Sequence, residues 1–485
     1  MGFPLPSELI SMVLEYVTSS QENVYLALYA TINRDWQMVV ERQTFSTLTI
    51  NTAKRLAKFK QLSWSYRIFF VQKIDFVVEL ESYNGEARTR HETKEETQRN
   101  SKIFTIAIQS LFNTIATWPE TETGIALSIQ AQSPGDIQAM ADKARKKRYK
   151  AAYLNNDLLT KRFEKSYLQF DESLCVQCLA VPIITGLSIG LCDRIIEPAS
   201  SSLIASKLPR LYDMSLFLSD TCKWDPELRK RHRNNFANSL HLWPSSIREL
   251  ALNFFYEAPS DENYPPSSTV EGNTDSPSVR LRDFSQQLTG FVGLQCVLGK
   301  EIFWPLQDND LPLPFWPHLI HVSLQYVPVT PCGKWLFKKE DSIRDDNENN
   351  YDSDDPSSIW MTPINIGLLL KTTGAGHFEL NSFMNCSMNS ISAGKAALRM
   401  PELEFMRLGV LGQRSHSFWY ELEGGVAKAT WDNADDPTSF QLWEEETMGA
   451  KAISAFQPND QVLRIWNQVA LEHTRGDLEV ESGRF

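Results

Sequence analysis

Residues 317–326 read Pro-His-Leu-Ile-His-Val-Ser-Leu-Gln-Tyr. Counted from Pro317, the apolar residues stand at +2, +5, +7 and +9: Leu319, Val322, Leu324 and Tyr326. The last three alternate, the period of a strand with one buried face. The proline stops whatever helix precedes it, and a short turn leads into the strand. The template recurs. Pro182 leads Ile184, Leu187, Ile189 and Leu191; Pro209 leads Leu211, Met214, Leu216 and Leu218; Pro401 leads Leu403, Met406, Leu408 and Val410. Pro244 with Ile247, Leu250, Leu252 and Phe254 fits with one extra residue, and Pro119 with Ile125, Leu127 and Ile129 is a poorer match. Units of this kind stack side by side, each strand burying one face under a layer of helices. The expected architecture is therefore α/β, an irregular leucine-rich-repeat-like solenoid with a largely parallel sheet over residues 51–412. Further strands are expected near Leu294–Val297 and Phe378–Leu380.

Three polar stretches interrupt this pattern: 81–101, 257–278 and the acidic 339–359. All three read as exposed insertions with too few apolar residues to order. Beyond the last repeat, Phe418–Leu422 and Val426–Trp431 flank Gly424-Gly425, a hairpin signal. Asp460 is placed to cap a final helix carrying Val462, Leu463, Trp466, Val469 and Ala470. Residues 413–485 thus read as a hairpin and helix cap over the end of the sheet.

The N-terminal part is helical. Pro6, Ser7 and Glu8 suit a first turn, and Leu9, Ile10, Val13, Leu14 and Val17 form one apolar stripe. Val24 to Ala30 and Arg34 to Arg42 continue at helical spacing, the latter with Trp36, Val39 and Val40. Leu48 and Ile50 then switch to alternation.

The chain has 485 residues and a formal charge of −12, which argues against general phosphate-backbone binding, so no nucleic-acid partner is expected. Thirteen Trp and 26 Phe point to aromatic wedges between layers. No secretory signal or myristoylation motif is read at MGFPLPSEL. The charge-free run Ser173–Cys192 holds Pro182, Gly186 and Gly190 and alternates as a strand, so no membrane association is expected. Seven cysteines, an odd number, fit reduced thiols in a cytoplasmic or nuclear protein. Cys175 and Cys178 form a lone CxxC without the further ligands zinc requires, and Asp352 to Asp354 do not complete a calcium loop. No cofactor and no metal are expected.

No catalytic signature was found. Gly374-Ala-Gly-His377 lacks a Walker lysine, and His318 and His321 are spaced to point to opposite faces of a strand. The basic runs Lys143–Lys150 and Arg229–Arg233 read first as solvated faces and second as import signals or polyanion contacts.

Residues 1–50 resemble an F-box. The family's Leu-Pro-x-Glu opening is matched by Leu5-Pro6-Ser7-Glu8, followed by Leu9, Ile10, Val13, Leu14 and Val17, and by Ile32, Trp36, Val39 and Val40 toward the end. The middle segment QENVYLALYA lacks the customary Asp-Leu beginning, and no Cys precedes the Trp. The rest of the chain resembles a group of F-box-like proteins of filamentous fungi. It shares Trp-Pro dipeptides before strands (Trp118-Pro119, Trp243-Pro244, Trp304-Pro305, Trp316-Pro317) and an Ala-x-x-Met-Pro-x-Leu-x-x-Met motif at Ala397–Met406. The resemblance implies a non-catalytic receptor subunit of an SCF-type cullin-RING ubiquitin ligase. Such a subunit docks a Skp-type adaptor, and through it a cullin, and presents an unknown protein target on the remainder. The adaptor-binding set it implies is Leu5, Pro6, Leu9, Ile10, Val13, Leu14, Val17, Ile32, Trp36 and Val39. Some of these belong to the unit's own core, and the sequence does not separate the two sets. The competing expectation is an interaction scaffold outside any ligase, in which the N-terminal helices only cap the solenoid.

Overall fold

A computed structural model of the chain describes residues 5–20, 26–62, 66–136, 162–163, 165–171, 173, 179–190, 194–219, 225–256, 264–272, 274–306, 312–336, 338–339, 378–379, 383–410, 416–432 and 458–482. The strands are β1 (Thr47–Ile50), β2 (Lys73–Glu79), β3 (Ile125–Gln132), β4 (Ile184–Ile189), β5 (Asp213–Ser219), β6 (Glu249–Phe255), β7 (Gly290–Cys296), β8 (His321–Tyr326), β9 (Lys338–Lys339), β10 (Phe378–Glu379), β11 (Phe405–Val410), β12 (His416–Glu423), β13 (Val426–Asp432) and β14 (Glu479–Ser482). The helices are α1 (Ser7–Ser20), α2 (Leu26–Tyr29), α3 (Arg34–Ser46), α4 (Ala53–Leu62), α5 (Lys94–Ile115), α6 (Pro198–Ala205), α7 (Pro226–Ser239), α8 (Ser276–Ser285), α9 (Phe383–Ala397) and α10 (Asp460–Thr474).

Twelve strands form one sheet in the order β1-β2-β3-β4-β5-β6-β7-β8-β11-β12-β13-β14. All pairs from β1 to β11 are parallel, β12 is antiparallel to both neighbours, and β14 is parallel to β13. The fold is α/β with a largely parallel open sheet, and from β1 to β8 each new strand is laid parallel beside the last. The repeat windows fall in β4, β5, β6, β8 and β11; Gly190 lies past the end of β4, and Leu191 is outside the described residues. Leu294–Val297 overlaps β7. Phe378 and Glu379 pair with β9 in a separate two-stranded ribbon instead of joining the sheet.

The template's spacing has a direct structural cause. Its +2 residues Ile184, Leu211, Leu319 and Leu403 are buried, as are Leu187, Met214, Val322 and Met406 at +5. The +3 residues begin a ladder of turns: Tyr212 donates its N–H to Thr185 O, Arg248 to Tyr212 O, Thr289 to Arg248 O and Ile320 to Thr289 O. After Pro244 the ladder residue is Arg248, one position later, which is the extra residue of that repeat. Gly190 ends β4 with φ +102°, and a Cβ there would lie 2.1 Å from Phe217 O of the next strand.

Helices α5 to α10 cover one face, and their apolar residues join the strands' inward residues in a single core running from Ile50 to Ala470. The Trp-Pro dipeptides are wedges between units. Trp243 donates its indole N–H to Ser202 Oγ of α6 and Trp316 donates to Ser285 Oγ of α8, each at 2.8 Å. Among the described residues the opposite face lacks a helical layer. Its in-register row Ser128, Ser188, Ser215, Ala251, Val292 and Ser323 crosses six strands. That one-sided burial explains why the strands alternate, whereas strands of parallel sheets covered on both faces read as continuous apolar runs.

Two expectations are corrected. Residues 81–101 are not an exposed insertion: Ala87, Glu92 and Asn100 are buried, and Thr93 with Glu96 forms the capping box of α5. Arg194 Nη2 donates to both Glu92 oxygens at 2.9 Å, Asn100 Nδ2 to Glu92 Oε1 at 2.7 Å, and Arg162 Nη1 to Ala87 O at 2.7 Å. The basic run 229–233 is not a solvated face either. Arg229 lies 4.6 Å over the Tyr256 ring, His232 Nδ1 is 3.1 Å from Glu197 Oε1, and Arg233 Nη2 donates to Asp275 Oδ1 at 3.0 Å and Val297 O at 2.9 Å. Asp275 also caps α8, and the polar stretch 257–278 is packed in part: Thr269, Val270 and Ser278 are buried, while Tyr264, Pro265 and Glu271 are exposed. In both places polar composition reflects paired, buried charge. The acidic residues 340–359, the run 143–150 and Cys175 to Cys178 lie outside the described residues.

The hairpin β12–β13 turns at Gly424 (φ +59°) and Gly425 (φ +83°), the conformation a two-residue hairpin turn needs. The final helix α10 is capped by Asn459, whose side chain accepts from Val462 N, with Asp460 in the first turn.

Candidate functional site

Helices α1, α2 and α3 enclose a core of their own. Ile10, Leu14 and Val40 are its buried centre, with Leu26, Tyr29, Ala30, Trp36 and Val39 packed around them. Asn33 caps α3 by accepting from Trp36 N at 3.0 Å, which fixes the indole next to Tyr29, the two rings stacked at 6.1 Å. Helix α3 runs directly into β1. Glu41 on α3 accepts from Arg67 Nη2 at 2.7 Å, from the Tyr66 hydroxyl and from Gln37 Nε2 at 3.0 Å. The Arg67 guanidinium beside it holds the Glu41 carboxyl at about 2, below the ordinary 4.5. Arg67 also lies 5.0 Å over the Phe45 ring. The helical unit is thereby tied to the segment that precedes β2.

Helix α1 carries two apolar stripes. The inward one is Ile10 and Leu14, 1% and 0% exposed. The outward one is Leu9, Met12, Val13 and Tyr16, preceded by Leu5, with exposures of 45%, 63%, 42%, 74% and 49% in that order. From Leu5 these stand at i, i+4, i+7, i+8 and i+11, a single helix face. Leu28, Ile32 and Met38 on the neighbouring elements are exposed as well. Exposed apolar residues clustered in this way are a candidate interaction surface.

The expected adaptor-binding set therefore divides. Leu5, Pro6, Leu9, Val13 and Ile32 are exposed, Val17, Trp36 and Val39 are half-buried, and Ile10 and Leu14 are core. Ile10 and Leu14 fall in the part of the set that forms the unit's own core, packed with Val40. Met12, Tyr16, Leu28 and Met38 are exposed as well and stand outside the expected set. The signal that would have found Met12 and Tyr16 is their spacing of three and seven from Leu9.

Titratable groups elsewhere serve the fold. Burial, then the charge of Asp136, raises the Tyr83 hydroxyl above its ordinary range, and burial raises Asp136 while the Tyr83 hydrogen bond opposes it. Burial likewise lowers His473, whose Nδ1 lies 2.8 Å from the Tyr420 hydroxyl. His318 and His321 are both exposed. Among the described residues, no group of His, Cys, Asp and Glu could hold a metal ion, and no helix is long and apolar enough to cross a membrane. No family model matches the chain, and no curated protein and no solved structure matches it either.

Proposed function

We propose that the chain is an F-box-type substrate receptor of an SCF-type ubiquitin ligase. Residues 3–50 dock a Skp-type adaptor, and a leucine-rich-repeat-like α/β solenoid carries an unknown protein target. The observation that supports this reading is the second apolar stripe of α1, exposed on the side opposite the unit's own core. A helix serving only as a cap needs one apolar face, and a helix that also meets a partner groove needs two. The protein performs no bond chemistry in this role. It raises the effective concentration of target lysines near the charged conjugating enzyme. The Glu41–Arg67 contact fits the role, since a receptor has to hold its target at a fixed position relative to the adaptor. The same contact also favours a second reading, an interaction scaffold whose helices close the β1 edge of the sheet.

Co-purification with the host's Skp-type adaptor tests the proposal. Wild type should retain the adaptor, and Leu9→Asp should lose it with a stability change within about 0.5 kcal/mol, as exposed substitutions usually show. Failure of wild type to retain any adaptor would leave only the scaffold.

A further inference from the structure

We infer that the exposed face of α4 binds a short segment of a partner protein rich in Asp and Glu, through Lys54, Lys58 and Lys60. From Arg42 to Ile74 the sequence carries seven basic residues, and all 60 acidic residues of the chain lie outside that stretch. Lys54, Arg55, Lys58 and Lys60 stand on α4 and are exposed, while Phe59 is buried and Leu56 packs beside it in the main core. Among the described residues these four cations have no ion-pair partner, whereas the exposed Arg90, Arg99 and Arg210 pair with Glu96, Glu81 and Glu120. The elements around α4 bring little negative charge to it. Strand β1 has no charged residue. Asp75 and Glu79 of β2 alternate with the buried Ile74, Phe76 and Val78 and so stand on the uncovered face of the sheet, where Asp75 pairs with Lys73. The carboxylates of α5 are confined to its first turn, and its Lys102 is exposed. Trp118, whose ring lies 5.2 Å from that of Phe59, leads into a turn with Glu120, which pairs with Arg210, and Glu122.

This arrangement works against the helix itself. Lys54 and Arg55 occupy the first turn of α4, at the positive end of the helix dipole, and Lys54 and Lys58 form a like-charge pair four residues apart. An anion supplied from outside relieves both. The patch also selects among anions. Its ten residues span about 15 Å of helix. A nucleic acid or a membrane plane would run past that length onto the rest of an acidic chain, whereas a short peptide ends within it. Phosphate recognition draws on arginine forks, but Arg55 Nη1 donates to Thr49 O at 3.2 Å and the other three cations are lysines. Lys60 borders a groove of about 730 Å³, whose other described lining residues are Ile106, Gln109, Ser110, Asn113, Thr114 and Thr117 of α5 and the turn after it. No carboxylate is among them, so an acidic segment meets neutral side chains beside the cations.

Fluorescence anisotropy of the full-length protein with a fluorescein-labelled hexaglutamate peptide tests this. Hexaglutamate should bind, hexaglutamine should not, and added salt should weaken the complex. The double variant Lys54→Gln/Lys58→Gln should weaken binding by about tenfold or more. It should also hold or raise the thermal midpoint, because the like-charge pair is gone. If the lysines served the fold instead, the midpoint would fall. Arg464→Gln, at an exposed cation of α10, should leave binding unchanged. The inference is overturned if wild type does not prefer hexaglutamate over hexaglutamine, if the double variant binds unchanged or loses thermal stability, or if Arg464→Gln weakens binding as much. Tighter binding of oligothymidylate, or of vesicles of phosphatidylcholine and phosphatidylserine, through the same two lysines would also overturn it and assign the face to nucleic acid or membrane. The double variant should leave adaptor retention unaltered, and Leu9→Asp should leave hexaglutamate binding intact, so this inference and the docking proposal fail separately.

Discussion

The N-terminal helices and the sheet units use apolar residues differently. In the repeat led by Pro317, Leu319, Val322, Leu324 and Tyr326 are all buried, and Trp316 beside them is clamped to the preceding helix layer. In α1, by contrast, Leu9, Met12, Val13 and Tyr16 face outward while Ile10 and Leu14 face inward. A strand of the sheet has one apolar face because one face is covered. Helix α1 has two, of which one is buried and the other exposed. The surplus of apolar surface, more than its amount, separates a packing element from a candidate docking element.

The strongest way to break this contrast lies in the sheet. Trp316 is fully buried, so Trp316→Ala should cost about 3–5 kcal/mol, read as a fall in the denaturant midpoint. A cost near 1 kcal/mol would show that the wedge is not what joins β7 to β8. In the helical unit, Leu14→Ala should cost about 2–4 kcal/mol. It should also abolish adaptor retention, although Leu14 is too deep to touch a partner. Retention unchanged by Leu14→Ala would mean that the exposed stripe does not depend on the small core beneath it.

The sequence exposed the strands well and the partners poorly. Alternation after Pro182, Pro209, Pro317 and Pro401 was legible because the open face leaves every second position polar or small. The serines that receive the wedge indoles, Ser202 and Ser285, were not legible: each lies one repeat earlier, and nothing local marks a serine as an acceptor. The run Arg229–Arg233 was misread for a related reason. Composition counts charges, but burial depends on whether Glu197 and Asp275 arrive from elsewhere to pair with them. In α1 the two stripes overlap at Leu9-Ile10 and Val13-Leu14, so periodicity fixed the helix without assigning either side to the interior.

A smaller effect sharpens the junction between the two regions. Glu41 is held at about 2 by Arg67, below its ordinary 4.5. A carboxylate with a depressed native pKa contributes stability that is fully present above about 4.5. That contribution is lost as pH falls toward 2. Arg67 is partly exposed, so solvent screening reduces the contribution to about 1–2 kcal/mol. Glu41→Gln should therefore destabilise the protein by that amount at neutral pH, and the difference from wild type should shrink between pH 4.5 and 2. Amide hydrogen exchange in α3 followed across that range measures it, and a pH-independent difference would remove the ion pair as its cause.

The smallest expected effect on stability tests the contrast most directly. Tyr16 is the most exposed large apolar residue of α1, and the sequence pattern alone did not single it out. Tyr16→Ser removes a large ring from the outward stripe and leaves Ile10, Leu14 and Val40 untouched. Its cost in stability should stay within about 0.5 kcal/mol. Aromatic residues at the centre of an interface often carry 2 kcal/mol or more of binding, so adaptor retention should fall by roughly tenfold or more. Met12→Ser, one turn earlier on the same face, should behave alike, while Ser11→Ala on the flank should change neither quantity. If Tyr16→Ser lowers stability by 2 kcal/mol, the outward stripe is packing surface after all, and α1 loses its distinction from the helices that cover the sheet.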